Sequence, residues 1–346
     1  MCGRMNMMPS PDPQVLQSAK SISQSYAKAM ETATAETVAS ALSLHLAADC
    51  DWRAVHPFNE QIGPAAVARV FWEPFLSAFS NVQRREDIFF AGQNEIDGFA
   101  STWTVSMGHF LGLFDAPFLH IPPTRKIVMI RYAEFNKIEG GKIVQSALFV
   151  DLLHLMLQAG LNPLRAPQTG AQLVQPGPRT HDGLVMTPQD PEEGRKTLAR
   201  INNMIGSIDH ANSASVPPAP EDELAVDWHA NMLWWGPTGI GATYTIDRYI
   251  EQHQGPFRRH IAKRTFNGHL CRMAEGTYGG FFGWPNLTLI NGGGFMGVPA
   301  QDSNADMRVV DIYRREGKKL AENWIFIDML HFLKMQDIDI LAEIAS

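Results

Sequence analysis

The chain has 346 residues, of which 45% are apolar and 19% charged, and its formal net charge at pH 7 is −7. This composition is typical of a folded globular protein and excludes a chain that is disordered throughout. The acidic balance argues against a nucleic-acid partner, because phosphate binding requires clustered lysine and arginine. No apolar run approaches the ~18 residues that a membrane-spanning helix needs, so we expect no membrane partner.

Several common site chemistries are also absent from the sequence. Cys2, Cys50 and Cys271 are far apart and form no CxxC pair, so they predict neither a disulfide framework nor a thiolate metal site. There is no HExxH motif, no phosphate-binding loop and no complete dinucleotide fingerprint, and we expect neither a metal nor a cofactor. The first 13 residues lack the apolar core of a signal peptide, which favours a cytoplasmic protein.

In each half of the chain, predicted helices come first and strands follow. In the first half we predict helices at 18–30, 35–46 and 64–79, a strand at 52–55, strands at 87–93, 99–107, 126–137 and 142–150, and a short helix at 151–158. In the second half we predict helices near 191–209 and 242–253, a strand at Trp228, and strands at 308–315 and 319–327. The glycines between residues 276 and 297 predict a flexible rim. This order predicts an α+β fold in which helices pack on a strongly curved antiparallel sheet that encloses a cone-shaped pocket.

Three short segments of the first half recur in the second half at offsets of 176 or 177 positions. The pairs are 51–54 with 227–230, 131–135 with 308–312, and 149–154 with 326–331. A constant offset over about a hundred residues predicts two copies of one domain. We therefore expect tandem cone domains at 14–160 and 191–343, joined by a linker at 161–190 that is rich in proline and glycine.

Aromatic residues recur in the segments that would form the walls of the two cones. We take Trp52, Trp103, Phe149, Trp228 and Trp324 as candidate substrate-binding residues. The alternative is that these side chains simply fill the hydrophobic core.

The motifs of the first half resemble a known family. They are Phe71-Trp72-Glu73-Pro74-Phe75, then Gly108-His109-Phe110-Leu111-Gly112 followed by Pro122-Pro123-Thr124-Arg125-Lys126, then Gly141-Lys142-Ile143 with Asp151 and Gln158. In order and spacing they resemble the SnoaL-like polyketide cyclase, or ester cyclase, group of the nuclear-transport-factor-2-like superfamily. The second half is more divergent, since Gly276-Thr277-Tyr278-Gly279-Gly280-Phe281 stands in place of the second motif. The resemblance implies a small-molecule site inside the cone that works by acid/base chemistry without a cofactor.

Asp151 and Asp328 are the leading catalytic candidates, because each ends a predicted strand and begins an apolar helix. The matching aspartate of the cyclases acts as the acid/base, and the resemblance implies the same role here. A carboxylate that faces an apolar cavity has a raised pKa, which suits proton transfer near neutral pH. The alternative is that each aspartate only caps its helix.

Further polar candidates stand near these aspartates or in the motifs. His154 and His331 follow Asp151 and Asp328 by three residues, and each therefore shares a helix face with its aspartate. His109 could donate a hydrogen bond to an enolate oxygen. We take Arg131 and Arg308 as candidates to bind a carbonyl or carboxylate. Because strand residues three apart point to opposite faces, only one member of each of the pairs Arg131–Glu134 and Arg308–Asp311 can enter a cone.

These observations favour a cofactor-independent acid/base enzyme for a small apolar carbonyl compound or ester, of the cyclase, isomerase or dehydratase type. Two alternatives stay open: a non-catalytic protein that binds a small ligand, and a chain in which one copy is catalytic and the divergent copy is structural. The expected partner is a small apolar organic molecule. Cone domains commonly pair sheet to sheet, so we expect the two copies to form an intramolecular pseudo-dimer, with a homodimer of the chain as a further option.

Overall fold

The computed structural model describes residues 12–164 and 174–346. The first part contains α1 (Pro13–Thr32), α2 (Val38–His45), β1 (Leu46–Ala54), β2 (Asn59–Ile62), α3 (Pro64–Val67), a π-helical turn (Ala68–Trp72), α4 (Glu73–Ala78), β3 (Phe79–Gln93), β4 (Thr102–Phe114), β5 (Ile127–Glu139), β6 (Lys142–Val150) and α5 (Leu152–Gln158). We call these elements the N-terminal cone.

The second part repeats this order. It contains α6 (Pro191–Ser213), α7 (Pro220–Asp227), β7 (Trp228–Trp235), β8 (Ala242–Tyr244), α8 (Ile246–Tyr249), a π-helical turn (Ile250–Gln254), α9 (Gly255–His260), β9 (Ile261–Phe266), β10 (Cys271–Glu275), β11 (Tyr278–Asn291), a 3₁₀ turn (Phe295–Gly297), β12 (Ala305–Glu316), β13 (Lys319–Ile327), α10 (Met329–Lys334) and α11 (Ile340–Ala345). We call these elements the C-terminal cone. The described part of segment 161–190 contains no helix and no strand, and residues 165–173 lie outside the described residues.

Each cone is built on one sheet. The strand order is β2-β1-β6-β5-β4-β3 in the N-terminal cone and β10-β11-β12-β13-β7-β8 in the C-terminal cone, where β9 also pairs with β11. The neighbours are antiparallel except for β1 with β6 and β7 with β13, which are parallel. The α+β class and the two curved sheets agree with the prediction from the sequence.

The pairing register shows which residues are equivalent. Tyr132 pairs with Val150 in the N-terminal cone, and Val309 pairs with Ile327 in the C-terminal cone. Both partners are displaced by the same 177 positions as the sequence repeat. Glu134 and Asp311 are therefore equivalent residues on the central strands β5 and β12.

The two sheets pack against each other. Phe282 of the C-terminal sheet lies with its ring centroid 5.6 Å from that of Trp103 and 5.2 Å from that of Phe135, and Phe149 lies 5.6 Å from Trp284. Because strand side chains alternate, the sheet face that makes these contacts is opposite to the face inside each cone.

The glycine-rich stretch from 276 to 297 differs from our expectation of a flexible rim. Most of it is strand β11, which pairs with β10, β12 and β9. A Cβ at Gly280 would lie 2.5 Å from the carbonyl oxygen of Asp311, so glycine is needed there because the neighbouring backbone comes so close. Close packing of the sheet explains this glycine without any need for mobility.

The interiors of the two cones differ. In the N-terminal cone aromatic side chains pack on one another; Phe71 lies 5.1 Å from Trp72 and 5.4 Å from Phe75 between ring centroids. Phe71 and Trp72 are the fourth and fifth residues of the first π-helical turn, and His253 and Gln254 hold the same places in the second. The C-terminal cone thus has two polar side chains where the N-terminal cone has two large aromatic ones.

Candidate active site in the C-terminal cone

The C-terminal cone encloses a cavity of about 570 Å³. This volume lies within the range of cavities that bind small organic molecules. Its walls come from α6 and α7, from the second π-helical turn, and from the inner faces of the sheet strands. The aromatic part of the lining consists of Trp228, Trp234, Tyr249, Phe257, Phe266, Phe281, Phe295 and Tyr313.

Strand alternation decides which side chains enter the cavity. Val309, Asp311 and Tyr313 of β12 line it, as do Asn323, Ile325 and Ile327 of β13. All of these positions are odd-numbered, as the two-residue period of a strand requires. Of the pair Arg308–Asp311, the aspartate is therefore the member that enters the cone.

Asp311 is a buried carboxyl on the cavity wall, with only 7% of its surface exposed. The side-chain amide of Asn323 donates a hydrogen bond to its Oδ1 at 3.0 Å and a second one to the carbonyl oxygen of Ile312 at 3.1 Å. The hydroxyl of Tyr313 also hydrogen-bonds to Asp311. Burial raises the pKa of the Asp311 carboxyl to about 7, although both hydrogen bonds oppose the rise. Near neutral pH this group can both accept and release a proton.

The second π-helical turn supplies polar groups to the same cavity. His253 stacks on Trp234 with ring centroids 4.1 Å apart and an interplanar angle of 21°. Burial lowers the pKa of His253 to about 3, so its imidazole is neutral at physiological pH. Among the residues that the structure describes, neither the Nδ1 atom of His253 nor the Oε1 atom of Gln254 has a hydrogen-bond partner. Both groups are therefore available to a bound molecule.

His269 is a third polar residue of the lining. Its ring stacks on Phe281 with centroids 3.9 Å apart and an interplanar angle of 18°. Burial is the main reason that the pKa of His269 falls to about 3, and the neighbouring Arg272 lowers it further. This histidine is therefore also neutral near pH 7.

Asp151 and Asp328 lie outside this cavity, although burial raises the pKa of Asp328 to about 6. Oδ1 of Asp151 accepts the backbone N–H of His154 at 2.9 Å, and Oδ2 accepts the backbone N–H of Thr238 at 3.0 Å. Arg131 stands 3.4 Å from the same Oδ2. Asp151 therefore caps α5 and also links the N-terminal cone to a loop of the C-terminal cone.

Asp328 makes the equivalent contacts in the opposite direction. Oδ1 accepts the backbone N–H of His331 at 3.2 Å, and Oδ2 accepts that of His56 at 2.9 Å. Arg308 donates to Oδ2 at 3.1 Å and its guanidinium lies over the ring of Trp284, 4.1 Å from its centroid. Here too the carboxylate caps a helix and links the two cones.

Other candidates from the sequence also lie at the contact between the cones. Arg131 donates to the carbonyl oxygen of Gly236 and lies over the ring of Phe326. Trp103 and Phe149 make the aromatic contacts between the sheets described above. His109 is buried, with Nδ1 3.4 Å from Asp87 and Nε2 accepting the backbone N–H of Gln175. None of these four candidates is part of the cavity lining.

The remaining candidates are placed as follows. Trp52 is buried in the N-terminal cone against Phe71, and His154 is buried in α5 near Gln158. Trp324 donates from Nε1 to the carbonyl oxygen of Pro176 on the side of β13 that faces away from the cavity. Burial lowers the pKa of His331 to about 4, and this residue stands in α10 outside the cavity. Of the twelve candidate site residues, Trp228 alone lines the cavity.

The N-terminal counterpart of Asp311 has protein partners. Glu134 accepts a hydrogen bond from Arg84 at 2.5 Å and another from the hydroxyl of Tyr26 at 3.1 Å. Arg84 also lies 4.4 Å from the ring centroid of Tyr132. The carboxylate of the N-terminal cone is thus held by a buried ion pair, whereas that of the C-terminal cone faces a cavity.

Two properties of the described residues limit the kinds of site that they can form. No helix among them is both long and apolar enough to cross a membrane. In residues 12–164 and 174–346, no three or more histidine, cysteine, aspartate or glutamate side chains come together as ligands for a metal ion.

Comparison with known proteins gives matches among solved structures only. No family model and no curated protein matches the chain. A nuclear-transport-factor-2-like protein from Burkholderia xenovorans is 10% identical over 41% of this chain and 97% of its own, with a TM-score of 0.32. A proposed SnoaL-like polyketide cyclase from Jannaschia sp. is 14% identical over 41% of this chain and 92% of its own, with a TM-score of 0.33. IdmH, a proposed polyketide cyclase from Streptomyces antibioticus, is 14% identical over 40% of this chain and 98% of its own, with a TM-score of 0.31. In its architecture of helices packed on curved sheets, the chain resembles nuclear-transport-factor-2-like and SnoaL-like proteins, as the motifs of its first half indicated.

Proposed function

We propose that the C-terminal cone is an acid/base site for a small apolar carbonyl compound or ester, and that Asp311 is its general acid/base. The observation that carries this proposal is a buried carboxyl with a pKa of about 7 on the wall of an aromatic-lined cavity. An enzyme needs its acid/base group to titrate near the working pH, and burial in a cleft is how proteins tune a carboxyl to that range.

The proposed reaction uses Asp311 on the sheet and the polar groups of the second π-helical turn, which both line the cavity. Ionised Asp311 removes a proton from the carbon next to a carbonyl, and the electron pair of that C–H bond moves to the carbonyl oxygen to form an enolate. The ring N–H of neutral His253, in the tautomer that carries the proton on Nδ1, can donate a hydrogen bond to this oxygen. Asp311, now protonated, returns the proton to carbon or to oxygen. Isomerisation, intramolecular aldol cyclisation and dehydration all begin with this enolate.

Asn323 and Tyr313 act as positioning residues in this proposal. Their hydrogen bonds hold the carboxyl of Asp311 against the sheet and so restrict the orientation that it presents to the cavity.

We propose that the N-terminal cone has a structural role, in keeping with a chain that has one catalytic and one structural copy. Its interior is packed with aromatic rings, and its equivalent carboxylate, Glu134, pairs with Arg84. In this proposal the catalytic copy is the one whose sequence motifs are more divergent. The domains would span 14–160 and 191–343, with 161–190 as the linker.

Hydrogen–deuterium exchange tests the acid/base role. 2-Tetralone, a small aromatic ketone, is incubated with the protein in D₂O and the loss of its α-proton signals is followed by NMR. We expect catalysed exchange, and we expect Asp311→Asn to lower the rate by about 10²–10⁴-fold. Asp209→Asn is the matched control, because Asp209 also lines the cavity but stands on the exposed surface of α6.

The outcomes of this experiment separate the candidate functions. Equal exchange rates for the Asp311→Asn variant and the unchanged protein would overturn the role of Asp311. Binding of the ketone in the cavity without any exchange would favour the non-catalytic small-ligand protein instead.

A further inference from the structure

We infer that the mouth of the cavity is an anion subsite formed by Lys263, Arg264 and Arg258, and that the natural ligand is an aromatic or apolar molecule with a carboxylate group. The carboxylate lies at these cations while the carbonyl end of the molecule faces Asp311. This inference rests on the proposed function, because it names the class of substrate for the same cavity.

All three cations belong to the lining of the cavity. Lys263 and Arg264 follow one another on β9, so their side chains leave the strand on opposite faces: Arg264 shares its face with Phe266, and Lys263 borders the cavity from the other face. Arg258 stands on α9 just before this strand. Arg258 pairs with the buried carboxylate of Glu223 at 2.8 Å. Within the described part of the chain, neither Lys263 nor Arg264 lies within 4.0 Å of a carboxylate oxygen, so these two charges can bind an anion.

The positive charge at the mouth is concentrated. Burial lowers the pKa of Arg264, and the nearby positive charge of Arg258 lowers it further. The carboxylates among the described lining residues are Asp209, which is exposed on α6, and Asp311, which is largely protonated below pH 7. Glu223 balances the charge of Arg258, so the charges left over at the mouth are those of Lys263 and Arg264, and a guanidinium such as that of Arg264 binds a carboxylate in a two-pronged geometry.

The N-terminal cone provides an internal comparison. The fourth residue of α9 is Arg258, and the fourth residue of the equivalent α4 is Leu76. The third and fourth residues of β9 are Lys263 and Arg264; those of β3 are Asn81 and Val82. The three cations thus occur in the cone that has the cavity, and uncharged residues hold the same places in the cone whose interior is packed. The ion pair with Glu223 explains Arg258 within its own cone, whereas Lys263 and Arg264 lack a carboxylate partner among the described residues, and ligand binding would account for them.

A matched pair of ligands tests the subsite. The probes are 2-naphthoate and methyl 2-naphthoate, which share one aromatic body and differ in charge, and their dissociation constants are measured by isothermal titration calorimetry. We expect the carboxylate to bind at least tenfold more tightly than the ester at low ionic strength. We also expect this preference to shrink as salt is added, because the cations are partly exposed.

Variants that remove these charges then test whether Lys263 and Arg264 cause the preference for the carboxylate. The double variant Lys263→Gln with Arg264→Gln should weaken 2-naphthoate binding about tenfold and leave methyl 2-naphthoate binding within twofold. Arg259→Gln is the matched control, because Arg259 is exposed on α9 but does not line the cavity. This control should leave the dissociation constants of both probes unchanged.

Three results would overturn the inference: ester binding as tight as carboxylate binding, a preference that survives in the double variant, or no measurable binding of either probe. Measuring ligand binding and proton exchange separately distinguishes failure of this inference from failure of the proposed acid/base role of Asp311. Carboxylate preference without exchange would support the subsite and reject the acid/base role, and exchange without carboxylate preference would do the reverse.

Discussion

Asp151 and Asp328 are equivalent residues that cross-link the two cones in a reciprocal way. Asp151 of the N-terminal cone accepts the backbone N–H of Thr238 in the C-terminal cone, and Asp328 accepts that of His56 in the N-terminal cone. Each carboxylate also caps the helix that begins after it. The contact between the cones is therefore pseudo-symmetric. The two aspartates stabilise this contact, a role that their sequence context alone did not reveal.

We expect Asp151→Asn to destabilise the protein by about 3 kcal/mol, because it leaves the fully buried guanidinium of Arg131 without its carboxylate. Asp328→Asn should have a smaller effect at pH 7, since Arg308 is partly exposed and also contacts Asn59. Urea denaturation of both variants measures the two free energies of unfolding. Equal losses would contradict the difference in burial between the two arginines.

The pH dependence of stability should show the buried state of Asp311. Its pKa is about 7 in the folded protein and about 4 in the unfolded chain, so the folded state binds the proton more tightly. This stabilising contribution is fully present below pH 4 and is lost as the pH rises through 7. We expect Asp311→Asn to be more stable than the unchanged protein at pH 8, by about 4 kcal/mol at most, and to be nearly equal at pH 4. If urea denaturation finds no gain at pH 8, Asp311 is not buried as described.

The rate of proton exchange should depend on pH in the same range. Ionised Asp311 is the base in the proposed reaction, so the exchange rate of 2-tetralone should rise with pH through an apparent pKa of about 7 and then level off. The measurement is the NMR exchange rate between pH 5 and pH 9. A rate that stays constant over this range would exclude a base with the pKa of Asp311.

Filling the cavity should abolish ligand binding. Gln254→Trp places in the C-terminal cone the residue that fills the equivalent place, Trp72, in the N-terminal cone. We expect the affinity for 2-naphthoate to fall at least tenfold while the melting temperature is kept or raised, because the indole replaces a polar group by apolar contacts. Calorimetry and thermal denaturation measure the two effects.

The reciprocal variant is the control for this experiment. Trp72→Gln should leave ligand binding unchanged but lower the free energy of unfolding by about 3–5 kcal/mol, since it removes a buried aromatic side chain. If Trp72→Gln weakened ligand binding as much as Gln254→Trp, the two cones would not be separate in function.

The sequence predicted the arrangement of this protein better than its site. The constant offset of 177 positions between Arg131 and Arg308 predicted a duplicated α+β domain, and the strand register shows the same offset. Strand alternation also showed that Arg308 and Asp311 point to opposite faces. It did not show which face lies inside the cone, so it could not single out Asp311. The sequence favoured Asp328 because that residue stands between a strand and an apolar helix and matches the family motif.

Local patterns determined the repeat, the helices and the two-residue alternation along β12 and β13, because they depend on neighbours in the sequence. Tertiary structure decided which cone keeps a cavity and which carboxyl faces it. Asp311 and Glu134 are both carboxylates at equivalent places, but Arg84 reaches Glu134 from a distant strand, while Asp311 has Asn323 and Tyr313 as neutral partners. Desolvation and ion pairing depend on residues far apart in the chain, so only the folded structure separates a buried ion pair from a titrating acid.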